Sequence, residues 1–448
     1  MRPPIRKAVS LVSTWITEAA LADKIQSIKG MHDILNDQSA AWKYLEDTIQ
    51  GVLNSYGYEE IRTPLLEKTE LFKRSIGEAT DIVSKEMYTF TDLSGDSLTL
   101  RPEGTASVVR SVVQHSLYRN NPLRLWYCGP MFRHERPQKG RMRQFHQIGA
   151  EAIGFPGPDI DAELIAMCAR FWGSLGIDGL ELQLNTLGSA ASRAAYRNVL
   201  VEYFSDNQES LDEDSIKRLE LNPLRILDSK NPAMQELIAA APAMNDHLDE
   251  ESAAHFEELK QLLGAAGIDF TINPRLVRGL DYYSHTVFEW VSQELGAQSA
   301  VCAGGRYDGL LEHYGAKAVP GIGFAMGLER LIELMRRPAD LDQRTAAHVY
   351  LVMAGENAER EGFRLAEELR SNIDGLRLVM HCGGGSFKSQ FKKADKSGAR
   401  VALILGEEEL AKKCVSLKYL RSEQQQEEVE WSALPEKIRA ALEPGQGH

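Results

Sequence analysis

Little in this sequence favours covalent or metal cross-linking. Its 448 residues hold five cysteines (Cys128, Cys168, Cys302, Cys382, Cys414), an odd number with no CxxC pair. Neither a disulfide framework nor a cysteine zinc site is expected, no metal site is assigned, and a reducing, cytoplasmic setting fits best. No apolar run approaches the ~18 residues of a transmembrane helix, so no membrane partner is expected. An excess of basic residues is also missing. There are 51 Lys and Arg against 64 Asp and Glu, a formal net charge of −13. A uniformly basic coat for nucleic acid is therefore excluded, and any polyanion must meet a local basic patch. Walker A, HExxH and GxSxG patterns are absent, and GIGFAMG (321–327) lacks the spacing of a dinucleotide fingerprint. What remains is ordinary globular material. Hydrophobic residues make up 43% and charged residues 26%, enough for about three domains at ~150 residues each.

Residues 1–23 form an N-terminal extension with Arg2, Arg6 and Lys7 and no acid before Glu18. Its apolar stretch is interrupted by Ser, Thr and Glu. That favours a small surface helix or an upstream start over a targeting peptide. Residues 39–55 predict an amphipathic helix, with Trp42, Leu45, Ile49 and Leu53 spaced by three and four. YGYEEIRTPLLE (56–67) is a turn followed by an extended segment that Pro64 keeps at an edge or irregular. EMYTFTD and DSLTLR read as a hairpin. A helix is expected over 104–118, strands over 123–129 and 143–154, and a helix over 159–175. Short links make this sheet antiparallel.

The character changes at 190. Residues 190–267 are helical and acid-rich, interrupted by two Asn-Pro turns in NPLRILDSKNP, and read as an inserted helical module. Strands return over 268–290 and 298–304, and 321–337 runs from a glycine-punctuated strand into a helix. RPADLDQRTA (337–346) is a linker. From 345 to 448, strand and helix alternate at short spacing, which argues for a separate α/β domain with a mainly parallel sheet. RSEQQQEEVE reads as a polar, acidic tail.

Four stretches could carry chemistry. FRHERPQKGRMR (132–143) holds five basic residues and one acid between two strands. Guanidinium groups in such a loop grip phosphate in a fork, so it suits a triphosphate or a nucleic-acid end. A solvated hairpin tip is the alternative. RGLDYYSHTVFEW (278–290) sets an Arg, an Asp and two Tyr before an apolar strand, suited to a polar ligand with directional hydrogen bonds. AGGRYDGL (303–310) and GFAMGLERL (323–331) are glycine-rich, which lets backbone approach a flat ligand closely. CGGGSFKSQFKKADKSGAR (382–400) combines glycines with five basic residues, an anion or RNA surface if it opens a helix. A flexible loop before a solvated helix is equally compatible.

Together these blocks resemble the histidyl-tRNA synthetases, class II aminoacyl-tRNA synthetases, in their bacterial form. The resemblance covers residues 24 to 430. YGYEEIRTPLLE resembles class II motif 1, FRHE with the following strand resembles motif 2, and GFAMGLERL resembles motif 3. LRPEGT (100–105), RGLDYY (278–283) and AGGRYDG (303–309) resemble the histidine-specific signatures. The implied fold is a catalytic α+β domain with an antiparallel six-stranded sheet, a helical insertion and a C-terminal α/β anticodon-binding domain. The implied boundaries are 24–189 and 268–337 for the two catalytic parts, 190–267 for the insertion and 345–448 for the anticodon domain.

The resemblance also implies substrates and roles. ATP and L-histidine would form histidyl-adenylate, which then charges the 3′ end of tRNA(His), in a cytoplasmic homodimer built on residues 56–67 and the preceding helix. Arg133 and Arg278 match arginines on either side of the α-phosphate, Arg330 one at the γ-phosphate, and Glu135 an acid at the adenine end. Glu103, Gly104, Thr105, Gln147 and Glu151, with Tyr282, Tyr283 and Tyr307, match the surroundings of the amino acid, where Arg133 and Arg278 also reach. Mg²⁺ would accompany ATP on its β- and γ-phosphates. The alternative is a catalytically inactive regulatory paralogue of ATP phosphoribosyltransferase. That paralogue lacks the C-terminal domain and has degraded signatures.

Overall fold

The structure is a computed structural model describing residues 25–77, 80–137, 141–298, 300–338, 341 and 346–442. The extension assigned to 1–23 and much of the linker assigned to 337–346 lie outside the described residues. The chain divides into two compact units, one containing Leu45–Arg336 and the other Asn36–Tyr44 with the chain from Arg337 onward.

Helix α1 (Asn36–Ser55) buries the predicted stripe Trp42, Leu45, Ile49 and Leu53. The motif 1 segment is irregular, as Pro64 requires. It gives a two-residue strand β1 (Glu59–Glu60) and then β2 (Leu66–Lys68). Helix α2 (Thr69–Ile76) follows. The predicted hairpin is β3 (Tyr88–Thr91) and β4 (Ser97–Leu100), paired antiparallel, and β2 adds to the far side of β4. Helix α3 (Thr105–Gln114) ends four residues earlier than expected, because Ser116 turns left-handed at φ 56°.

The main sheet takes β5 (Leu123–Phe132), β6 (Gln144–Ile153), β7 (Leu180–Thr186), β8 (Thr271–Ile272), β9 (Ser284–Ser292), β10 (Ala300–Arg306) and β11 (Gly321–Gly327). Its order is β1-β5-β6-β11-β10-β9-β7-β8. The inner six strands are antiparallel throughout, the sheet expected from the sequence. Two-residue strands β1 and β8 extend it in parallel at the edges. Helix α4 (Asp159–Leu175) follows Pro158 and stops at Gly176, which takes the left-handed conformation at φ 62°.

The insertion is helical as expected, with α5 (Ala190–Asp206), α6 (Glu213–Leu221), α7 (Gln235–Ala240) and α8 (Glu250–Ala265) joined by short 3₁₀ turns. Its end helices share one cap. Asp249 accepts from the Ser252 N–H at 2.7 Å and from the hydroxyls of Ser189 (2.5 Å) and Ser192 (2.6 Å), while the Ser189 side chain caps α5. Those serine hydrogen bonds hold the Asp249 carboxyl well below its ordinary range. Helix α9 (Leu328–Leu334) closes the first unit.

The second unit is built on one five-stranded sheet. β12 (Val349–Met353) lies parallel to β13 (Leu378–Met380) and β14 (Val401–Leu405), as the alternation predicts. β15 (Cys414–Tyr419) and β16 (Glu427–Glu430) then continue antiparallel. The acidic tail is thus corrected: its last residues form an edge strand in which Val429 alone is buried.

Candidate active site

The basic loop after β5 is held by main-chain bonds. The Arg143 N–H donates to the Gly30 carbonyl at 2.8 Å and the His134 N–H to the Glu86 carbonyl at 2.7 Å. It overhangs a cleft on the face of the sheet, with a cavity volume of about 240 Å³. Residues 138–140 at its tip lie outside the described residues.

Three arginines expected at phosphate line this cleft: Arg133, Arg278 and Arg330. They come from β5's exit, from the loop before β9 and from α9. Arg133 donates Nε to the Pro102 carbonyl at 2.9 Å and sits 5.4 Å from the Phe145 ring. Arg278 is paired with Glu289 and stands 5.7 Å from the Tyr283 ring. Burial opposes its charge, but Glu289 and the two tyrosines outweigh burial and raise its pKa. Arg330 donates to the Ala300 carbonyl, and burial beside Arg141 lowers its pKa. Glu135 also lines the cleft, ion-paired to Arg141 at 3.0 Å.

The residues expected around the amino acid lie in and behind the same cleft. Glu103 receives the N–H groups of Thr105 (2.7 Å) and Ala106 (2.9 Å), so the carboxylate sits on the N-terminus of α3. Burial raises its pKa despite those bonds. Glu151 on β6 is fully buried and accepts from the Thr105 hydroxyl at 2.7 Å and the Tyr307 hydroxyl at 2.5 Å. Burial pushes it up to about 8, with the two hydrogen bonds pulling the other way. Tyr282 packs against Tyr283 at 4.6 Å and Tyr307 at 5.8 Å between centroids. Burial raises all three phenols, so they remain protonated donors. Gln147 lines the cleft with its side-chain oxygen buried and without a hydrogen-bond partner.

The expected site residues therefore converge, with two refinements. Glu151 and Gly104 are not on the cleft wall but directly behind it. Gly104 must lack a side chain because a Cβ would enter the Tyr127 ring. Some cleft residues escaped the sequence reading. Glu289, the partner of Arg278, was legible as a lone acid within the apolar run VFEWV. Glu329 in motif 3 accepts the His146 N–H at 2.9 Å and so ties α9 to β6. Arg141 was visible only as one basic residue among five.

Comparison with known proteins follows the same lines. The family profile described as histidyl-tRNA synthetase matches residues 30–331, and one described as an anticodon binding domain matches 348–441. A histidine–tRNA ligase of Hydrogenovibrio crunogenus is 56% identical over 422 residues, covering 94% of this chain and 99% of that protein. The crystal structure of apo S. aureus histidyl-tRNA synthetase is 37% identical with a TM-score of 0.78, covering 93% of this chain and 100% of that one. A Bacillus halodurans structure titled ATP phosphoribosyltransferase regulatory subunit/histidyl-tRNA synthetase shares the fold. It is 23% identical with a TM-score of 0.61, covering 86% of this chain and 98% of that one.

Proposed function

The chain belongs to the histidyl-tRNA synthetase family, and we propose on that footing that it activates L-histidine with ATP and transfers it to tRNA(His). A carboxylate oxygen of histidine attacks the α-phosphorus and pyrophosphate leaves. The terminal adenosine hydroxyl of tRNA then attacks the adenylate carbonyl, releasing AMP. Negative charge grows on the α-phosphate in the first step, and fixed cations stabilise it. Arg133 and Arg278 take that role, Arg330 meets the γ-phosphate, and Glu135 faces the adenine. Glu103 and Glu151 suit the ammonium and an imidazole N–H, with Thr105, Gln147, Tyr282, Tyr283 and Tyr307 completing the pocket. A buried polar site of this kind rejects isosteres lacking the matching groups by about 10⁴-fold or more.

The observation that carries this reading is spatial. Three arginines and the buried Glu103 line one cleft, and the buried Glu151 stands directly behind it. Phosphate and amino acid thus have adjacent seats. The acids nearest the arginines are already engaged, Glu289 by Arg278 and Glu135 by Arg141. Mg²⁺ then travels on the nucleotide, with ATP and water as its ligands.

The C-terminal unit and the insertion serve the tRNA, at the anticodon and the acceptor arm. The working form is a cytoplasmic homodimer. Supporting the dimer, Leu65, Leu66 and Phe90 are exposed on and beside the motif 1 segment, more apolar surface than a solvated edge needs. L-histidine-dependent exchange of pyrophosphate into ATP tests the reading. Histidine binding without exchange would select the inactive regulatory paralogue instead. Against that paralogue stand the intact arginines and the second unit.

A further inference from the structure

The histidine signature Arg278–Tyr283 precedes β9 and has no ladder to hold it. A loop that places Tyr282, Tyr283 and Arg278 in the cleft needs other anchors, and two come from the insertion. Arg193, in the first turn of α5, donates a guanidinium N–H to the Tyr283 carbonyl. Asn222, just after α6, donates its amide to the Asp281 carboxylate at 2.8 Å. Asp281 is seated from the other side as well. Its N–H donates to the Ile76 carbonyl at 3.2 Å, and its carboxylate lies where a side chain on Gly77 would stand.

The packing is continuous with these bonds. Tyr196, Leu200 and Phe204 of α5, with Leu224 and Ile226 beyond α6, share one buried cluster with Tyr282, Tyr283 and Tyr307. A third link runs to the other signature. His255 of α8 meets Asp161 at 3.0 Å, and Asp161 pairs at 2.8 Å with Arg306, the neighbour of Tyr307. The insertion therefore forms the back wall of the amino-acid pocket as well as an outward surface.

We propose that Arg193 and Asn222 of the helical insertion are positioning residues for histidine, fixing the Arg278–Tyr283 loop through the Tyr283 carbonyl and the Asp281 side chain. Neither residue lines the cleft. Each acts by limiting where Tyr282 and Tyr283 stand, while Arg278 is held separately by Glu289, so the effect falls on histidine affinity in a reaction without tRNA. The proposal rests on the synthetase reading of the cleft.

The experiment is pyrophosphate exchange with the full-length protein and no tRNA, titrating L-histidine and ATP separately. Arg193→Met keeps the aliphatic stem but leaves a buried carbonyl unpaired, and should raise KM for histidine by about 10-fold or more. KM for ATP and the melting temperature should move little. Arg193→Lys should recover part of the loss, because an ammonium can still donate. Asn222→Ala should raise KM for histidine by about 3- to 10-fold, since the bond it removes is solvent-exposed. Asn222→Asp should be worse, with two carboxylates face to face. The exchanged pair Asn222→Asp/Asp281→Asn restores a donor and an acceptor, and should return KM to within about 3-fold of wild type.

A merely structural role would lower the active fraction, and so kcat, with no selective change in KM for histidine and no rescue by the exchanged pair. Unchanged histidine KM in Asn222→Asp, or a double variant no better than that single one, overturns the proposal even if Arg193→Met fails to fold. Wild-type protein without histidine-dependent exchange would overturn the synthetase reading and this inference together. Wild-type exchange with unaffected variants would overturn the inference alone.

Discussion

Removing the Arg278 side chain should slow histidyl-adenylate formation by about 10²- to 10³-fold. That is the usual cost of losing one preorganised donor to a developing oxyanion, about 2.7–4 kcal/mol. A second consequence must be separated from the first. Arg278 is paired with Glu289, and the two side chains are 17% and 21% exposed. Arg278→Ala leaves that carboxylate alone in a half-dry cleft. Breaking a fully buried pair costs ~3–5 kcal/mol, and partial exposure reduces this to about 1–3 kcal/mol of stability. The variant Arg278→Ala/Glu289→Gln removes the orphaned charge. Its stability should recover towards wild type while adenylation stays slow.

Single-turnover measurement of both reaction steps is the assay. Histidine and ATP binding should change less than the rate, because charge on the α-phosphate is greatest in the transition state. Transfer from preformed adenylate to tRNA should also be less affected. Arg278→Lys should rescue only in part, since a point charge lacks the guanidinium fork. Two results would refute the reasoning: adenylate formation within a few-fold of wild type, or a double variant that regains the rate. Either would make Arg278 a structural partner of Glu289.

Glu151 carries a pH signature: its carboxyl holds a proton up to about pH 8 in the folded protein, against 4.5 for the ordinary group. The folded state therefore binds more protons than the unfolded chain between those values, so ligand-free stability should fall as pH rises from about 5 to 8, and Glu151→Gln should flatten that slope in thermal melts. Asp161→Asn leaves the buried Arg306 guanidinium facing only carbonyls and the partly exposed Asp308; denaturant unfolding should show a loss of about 3 kcal/mol or more, and a loss under ~1 kcal/mol would mean those acceptors suffice. Lys388, Lys392 and Lys393 stand exposed on the Phe387–Lys396 helix of the second unit. Reversing all three should weaken tRNA binding and reduce its log–log salt slope by about 2–3, and an unchanged slope would make that face a solvated one.

Much of the fold was legible because strong local signals coincided with the elements. Helix α4 was readable to the residue, since Pro158 and Gly176 bracket it. Five of the six antiparallel strands were read from their periodicity, but β7 (Leu180–Thr186), between α4 and the insertion, was missed, and of the strand pattern expected over 268–290 only β8 and most of β9 are strand. The parallel edge strands β1 and β8 have two residues each, too few to show a period, and only their neighbours in space define them. Strand β16 was hidden because Glu427, Glu428 and Glu430 dominate it. An edge strand tolerates that composition because one face and one rim remain in water. The candidate site divides in the same way. Residues within compact motifs were found, while partners remote in sequence were not. Glu289 is eleven residues from Arg278, and Asp161 and Arg306 are separated by 145. A lone acid in VFEWV marks Glu289, but nothing local in either stretch names the partner.

The glycines of motif 3 show how one residue can serve two physical reasons: Gly323 and Gly327 line the cleft, as close backbone approach requires, and Gly323 also faces Glu151. In sequence, GFAMGLERL suggests backbone approaching a flat ligand. In the structure its glycines belong to β11, an interior strand paired with β6 and β10, and Gly323 lies opposite Glu151. A Cβ on Gly323 would occupy the position of the Glu151 carboxylate. The glycine therefore makes room for an acid, and the acid is what gives the pocket its chemical depth. A carboxyl placed there is fully buried, which raises its pKa, and the Thr105 and Tyr307 hydroxyls must stabilise it together. Moving Glu151 outward would hydrate it and weaken discrimination, because water would then replace the matching groups of a wrong substrate. The small residues of the sheet and the polar residues of the signatures thus serve one requirement, a carboxyl group held in a dry site with its hydrogen bonds made before the ligand arrives.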